Sequence, residues 1–212
     1  MAMKVDLKRE LRALYLPPSR DFVEVDIPEM GYLAIDGQGD PNVSSGYADA
    51  VAALYACAYA IKFGFRARTG DDFVVPPLEG LWSSPDPADF VTRQKANWEW
   101  TMLIAMPAIV TTEDIEAGIA KAARAKPELP VSQVRQWTWT EGRCLQILHL
   151  GSYDDEAPTL ARLHDQVMPS LGLTFNGRHH EIYLSDPRRV PPERLKTVLR
   201  QPVRAADASG AV

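Results

Sequence analysis

The sequence predicts an α+β chain built from two strand–helix–strand–strand units with antiparallel sheets. Three observations carry this. Short blocks rich in Ile, Leu, Val, Tyr and Trp, bounded by Gly or Pro, recur along the chain as strands do. Segments with helical spacing of apolar residues, Tyr47–Lys62 and the stretch entered at Pro158, stand between such blocks. The blocks also return in the same order. Leu33-Ala34-Ile35-Asp36-Gly37 corresponds to Ile147-Leu148-His149-Leu150-Gly151, and each Gly leads into an acidic loop (Asp40; Asp154-Asp155-Glu156) and then a helix. Pro77-Leu78-Glu79-Gly80-Leu81-Trp82 is echoed by His179-His180-Glu181-Ile182-Tyr183-Leu184, each with a glutamate in a short apolar strand. Both halves then close on a regular segment and a proline, Pro107 and Pro202.

Taken in order, residues 1–20 form a charged arm that turns extended at Leu16-Pro17-Pro18. The domain covers 21–204, with halves at about 21–125 and 131–204. Phe22–Val25 and Tyr32–Ile35 read as two strands joined by the Pro28-Glu29-Met30-Gly31 turn. Tyr47–Lys62 is a helix with Tyr47, Val51, Leu54, Tyr55, Ala58 and Tyr59 at helical spacing. Phe73–Val75 and Leu78–Trp82 are strands, Ser83–Phe90 is a loop, and Asn97–Met106 is a strand carrying Trp98, Trp100, Met102, Ile104 and Met106 on one face. Thr111-Thr112 opens a helix that ends before Pro127, and residues 126–130 connect the halves. Val134–Thr140 and Leu145–Leu150 read as a hairpin turning through Glu141-Gly142-Arg143. Pro158 suits the first turn of a helix with Leu160, Leu163, Val167 and Leu171 on one stripe, and Pro192 opens a short helical turn. Residues 205–212 have nothing to bury and are expected to be disordered.

Composition excludes several functions. The chain has 212 residues, 46% apolar and 24% charged, with a net charge of −5, which argues against a nucleic-acid footprint. The late arginines are interspersed with acids and prolines and read as a solvated face. No uncharged apolar run approaches the ~20 residues a bilayer requires, and the first ten residues carry no signal-peptide core. Cys57 and Cys144 sit in apolar contexts as buried small hydrophobes, so a cytoplasmic location is expected.

Among candidate chemistries, Gly37-Gln38-Gly39-Asp40-Pro41-Asn42 lacks both the third glycine of a dinucleotide fingerprint and the Gly-Lys-Ser/Thr of a P-loop. No cofactor is expected. Neighbouring side chains on a strand diverge, so His179-His180-Glu181 cannot chelate one ion, and no metal is expected. There is no Gly-x-Ser-x-Gly nucleophile. The glutamates remain. Strand alternation puts His179, Glu181 and Tyr183 on one face and His180, Ile182 and Leu184 on the other, core-facing one. A carboxylate beside aromatic surface can pair with a cationic or polar ligand, can activate water if its pKa is raised, or can make a rim salt bridge with a nearby arginine. Trp82, Trp98, Trp100, Trp137 and Trp139, all in predicted strands, are more indole than a small core usually holds and suit a flat aromatic ligand.

Leu14-Tyr15-x-Pro17, Ile35-Asp36-Gly37-x-Gly39-Asp40-Pro41-Asn42, Leu54-Tyr55, Pro77 to Trp82, His179 to Pro187 and Lys196-Thr197-x-Leu199-Arg200 resemble the stand-alone GyrI-like small-molecule-binding proteins over about residues 11–203. The resemblance implies pseudo-two-fold symmetry of the two units and a central ligand cleft. Relatives serve as drug-sensing modules in which an acidic residue in an aromatic cleft receives flat cationic compounds. A subset of stand-alone members is similar to hydrolases that open the cyclopropane ring of DNA-alkylating natural products. Carried over, Glu181 orients or deprotonates water, and Tyr55, Trp100, Trp139, His179 and Tyr183 grip the ligand. The implied partner is a small aromatic ligand, with no nucleic acid and no membrane; the oligomeric state is left open. A non-catalytic drug-binding or sequestering module is the alternative.

Overall fold

The computed structural model describes residues 2–86, 89, 92 and 94–206. The fold is α+β, and the chain divides into two compact units, Met1–Leu11 with Glu29–Thr140 and Arg12–Pro28 with Glu141–Val212. The segment opens with β1 (Lys4–Val5) and two short helices, α1 (Leu7–Glu10) and α2 (Arg12–Tyr15).

In the first unit, β5 (Glu99–Met106) lies between β2 (Val23–Gln38) and β4 (Leu78–Ser83), antiparallel to both. The register pairs Leu33 with Ile104, Ile35 with Met102 and Gly37 with Trp100, so one face of the sheet is set by the even residues of β5. On that face the Trp100 indole meets Tyr47 of α3 (Ser45–Thr69) edge-on at 5.2 Å. A side chain at Gly37 would overlap the same indole, which is why this strand position carries no Cβ. The opposite face holds Tyr32, Ala34, Leu81, Leu103 and Ala105, with Leu7, Met30, Trp137 and Trp139 packed against them. β3 (Asp72–Phe73) runs parallel to β1.

Helix α3 runs on past Lys62 because Phe65 still finds a buried place, and it stops where Gly70 adopts φ 81. Its length and composition alone would let it cross a membrane, yet Leu54, Cys57, Ile61 and Phe65 are buried within the unit. Helix α4 (Thr112–Ala125) starts as the sequence predicts. The Thr111 hydroxyl accepts from the Asp114 N–H at 3.3 Å, and the Asp114 carboxylate accepts from the Thr111 N–H at 3.2 Å. Gly118 lets α4 approach α3, since a Cβ there would stand 2.9 Å from the Ile61 Cα.

In the second unit, β9 (Lys196–Ala205) pairs antiparallel with β6 (Arg135–Leu150) and with β8 (His179–Tyr183). β7 (Leu173–Phe175) pairs with its end. A continuous helical stretch covers this sheet: a 3₁₀ turn Tyr153–Glu156, α5 (Ala157–Arg162), a π turn Leu163–Val167 and a last turn Met168–Ser170. Pro158 occupies the first turn of α5 as predicted. Leu163 and Met168 pack with Leu145, Leu173 and Val203.

Several expectations are corrected. The two predicted hairpins are each a single 16-residue strand, β2 and β6. Pro28 is exposed within β2, and Gly142 adopts φ 74 within β6 without reversing the chain. Trp98 caps a 3₁₀ turn, Lys95–Asn97, and is not part of β5. β9 runs to Ala205, which pairs with Leu173; residues 207–212 of the predicted tail lie outside the described residues, as do 87, 88 and 90 of the predicted loop. Within the predicted arm, Lys4–Val5 form a strand, Leu7–Glu10 and Arg12–Tyr15 form short helices, and Leu14 and Tyr15 are buried.

Candidate functional site

Strand β8 places the site. Glu181 pairs with Leu199 and Tyr183 with Thr197, so Glu181, Tyr183 and Thr197 share the sheet face that lies under the helical stretch. The Glu181 side chain is only 15% exposed. Tyr183 donates its hydroxyl to Glu181 Oε2 at 2.7 Å. His179 Nε2 stands 3.5 Å from Glu181 Oε1, close enough for an ion pair but not aligned as a hydrogen bond. The alternation read from the sequence therefore holds, with one addition: the less buried face looks toward the turn Tyr153–Glu156 and not into open solvent.

That turn supplies two further groups. Tyr153 meets the Tyr183 ring edge-on at 5.6 Å, and burial, then the charges of Glu156, Glu181 and Asp186, push its phenol up to about 12. It stays protonated at neutral pH, as a hydrogen-bond donor. Glu156 is 5% exposed, and burial, then the charge of Glu181, pushes its carboxyl up to about 10. From the π turn, half-buried His164 packs edge-on to Phe175 at 4.9 Å. Burial, then the proximity of His179, holds His164 below the ordinary imidazole range, which favours a neutral ring. π turns interrupt helices frequently at functional positions, and this one carries His164, which feels the charge of His179.

The other face of the same strands is also polar, and fully buried. His180, Arg200 and Gln146 stand in one cross-strand row. The His180 Nδ1 lies 3.0 Å from both Glu141 oxygens. The Arg200 guanidinium donates to Glu141 Oε2 at 3.1 Å, Gln146 Oε1 at 3.1 Å and the Leu14 carbonyl at 2.7 Å. Gln146 donates to the Ala13 carbonyl at 2.7 Å, so this row ties α2 to the sheet. Burial works against the Glu141 charge, yet His180 and Arg200 together hold the carboxyl below its ordinary range.

The structure brings His179, Glu181 and Tyr183 together and leaves the other predicted ligand contacts in the first unit. Tyr55 stacks on Tyr59 along α3 at 6.4 Å. Trp100 lies on the α3 side of its sheet and borders a hollow of about 430 Å³ with Asp36, Asp49, Glu128 and Leu129. Trp139 stacks on Trp137 at 5.1 Å on the opposite side, against Tyr32. The indoles thus serve two faces, not one wall. Glu79, the sequence echo of Glu181, pairs with Leu103 and so lies on the Tyr32 side, away from α3, whereas Glu181 faces its own helical stretch. Sequence reasoning missed Glu156 and the Glu141–His180–Arg200 cluster. The one local signal was a histidine at a core-facing strand position, which when buried demands a polar partner. Among the described residues no three His, Cys, Asp or Glu side chains are placed to hold one metal ion.

In this mixed α+β fold a sheltered carboxylate sits among phenols and imidazoles. Comparison with known families specifies it further. The model of the GyrI-like small molecule binding domain matches residues 20–204, and the chain belongs to that family. It is similar to an uncharacterized conserved protein from Listeria innocua, 40% identical with a TM-score of 0.86, covering 94% of this chain and 100% of the other. It is also similar to a hydrolase from Listeria innocua, 38% identical with a TM-score of 0.81 over 94% and 100% of the two chains. The C-terminal domain of EcmrR, 12% identical with a TM-score of 0.54 over 88% and 98%, shares the fold. No curated protein matches.

Proposed function

We propose that this protein binds flat aromatic compounds and hydrolyses reactive cyclopropanoid ones, with Glu181 as the base that activates water. The observation that carries this is the Glu181 carboxylate itself: 15% exposed, with Oε2 held by Tyr183 and Oε1 turned toward His179. Tyr183 fixes one oxygen, which leaves the other to accept a proton from water. The likeness to a solved hydrolase at 38% identity supports a catalytic over a purely binding role. The pseudo-two-fold relation and the central cleft implied by the family belong to this reading.

A three-membered ring conjugated to a dienone is strained, and water attack forms a C–O bond as one ring C–C bond breaks. The released electron pair passes into the dienone, whose oxygen becomes a phenolate and takes a proton from solvent. Glu181 takes the proton that water gives up and releases it to solvent before the next turnover. Holding the water in line and providing one general base are sufficient in principle, since base assistance typically contributes ~10²–10⁴-fold.

The test is incubation of the purified protein with a cyclopropanoid alkylator, followed by mass spectrometry. Gain of one water per ligand with repeated turnover supports the proposal. A stoichiometric, unreacted complex would establish the sequestering alternative in its place.

A further inference from the structure

Glu156 is a buried carboxyl that the mechanism above does not use. It ends the turn Tyr153–Glu156, is 5% exposed, and its Oε1 has no hydrogen-bond partner among the described residues. The same turn sets Tyr153 against Tyr183, whose hydroxyl holds Glu181. Thr197, the register partner of Tyr183, brings a buried hydroxyl beside the Glu156 carboxyl. Both acids are therefore gathered over one small area of β8 and β9.

The surrounding charges leave little to neutralise a second anion. From β8 come His179 and Tyr183, from β9 Thr197, from β6 the buried His149, which is the register partner of Thr197 and whose Nε2 lies 3.1 Å from the Ser152 carbonyl, and from the turn itself Tyr153 and Asp154. His164 reaches His179 from the helical stretch. Asp186, which also acts on Tyr153, is itself engaged by Arg188 and Arg189. Two carboxyls sheltered from water and near one another do not both ionise at neutral pH, and the more deeply buried one keeps the proton.

We propose that Glu156 and Glu181 act as a one-proton carboxyl pair, in which Glu156 bears the proton and Glu181 the charge. This rests on the reading that Glu181 is the working anion of the site. Glu156 is then a positioning residue. Uncharged, it leaves Glu181 as the anion that meets a cationic ligand or a water proton. Once ionised at high pH, it adds a second negative charge and changes both affinity and rate.

The experiment is a pH titration of glutamate side-chain carboxyls by ¹³C NMR, with Glu156→Gln assigning the signal and Glu156→Asp as a second assignment variant. The expected Glu156 resonance titrates near pH 10 and moves to lower pH in Glu181→Gln. A Glu156 signal that titrates with the ordinary carboxyls, or that ignores Glu181→Gln, overturns the pair. Turnover of a cyclopropanoid alkylator adds a functional readout. Glu156→Gln, which mimics the neutral acid, keeps the neutral-pH rate within a few-fold and loses the alkaline change in the profile. An alkaline limb that persists unchanged in Glu156→Gln also counts against the pair. If the NMR behaviour is as expected but the wild-type protein turns nothing over, the hydrolytic reading fails and the carboxyl pair stands.

Discussion

Replacing Arg200 with Met tests the buried polar row that holds the second unit. The two side chains differ little in volume, so the change removes chiefly charge and donors. Arg200 and Glu141 are 2% and 0% exposed, and the guanidinium serves three acceptors at 3.1, 3.1 and 2.7 Å. Removing one partner of a buried ion pair typically costs about 3–5 kcal/mol, because the remaining charge stays desolvated. His180 still sits 3.0 Å from Glu141, which places the expected loss near the lower end, about 3 kcal/mol. Urea unfolding followed by tryptophan fluorescence measures it. Glu141→Gln added to Arg200→Met should recover part of the loss, since the uncompensated charge is gone. The pH dependence has a definite sign. The folded Glu141 carboxyl lies below its ordinary value, so its stabilisation is present above the unfolded value and is lost as pH falls through the folded one. Without Arg200 the folded value rises, and acid unfolding should begin at higher pH. A loss under about 1 kcal/mol, within the range of exposed pairs, would refute the assignment of Arg200 as a desolvated anchor.

Four further outcomes are expected. Glu181→Gln should leave the unfolding midpoint near wild type and abolish turnover of a cyclopropanoid substrate; a wild-type rate makes Glu181 structural. Glu156→Gln should raise stability by an amount that grows with pH. A carboxyl raised from 4.5 to about 10 on folding destabilises the folded state progressively across that interval, and the amide does not; equal pH profiles in thermal melts would contradict this. Gly37→Ala should displace the Trp100 indole and cost about 1–3 kcal/mol by overpacking, with a changed near-ultraviolet circular dichroism signal. Thr111→Ala removes the capping box of α4 and should cost about 1 kcal/mol in urea unfolding.

Much of this was legible along the chain. Alternation alone put His179, Glu181 and Tyr183 on one side of β8, and the described contacts keep them there. The Thr111 cap and the Pro158 start were readable because they depend on three or four neighbouring residues. The hairpins misled for the same reason: Pro28 and the Glu141-Gly142-Arg143 triplet look like turns locally, yet the strands on either side continue to find partners. The matching of Glu79 to Glu181 failed because sequence similarity does not fix strand register, and a shift of one residue moves a side chain to the other face.

By itself, then, the sequence determined the α+β class, the Thr111 cap, the Pro158 helix start and the glutamate-bearing strand face. Only the tertiary structure decided what that face meets. Glu141 and His180 are 39 residues apart and Glu141 and Arg200 are 59 apart; Glu156 reaches Glu181 from a different element altogether. Propensity and alternation act between near neighbours, whereas the protonation of a buried acid depends on which distant side chains strand pairing and helix packing set beside it.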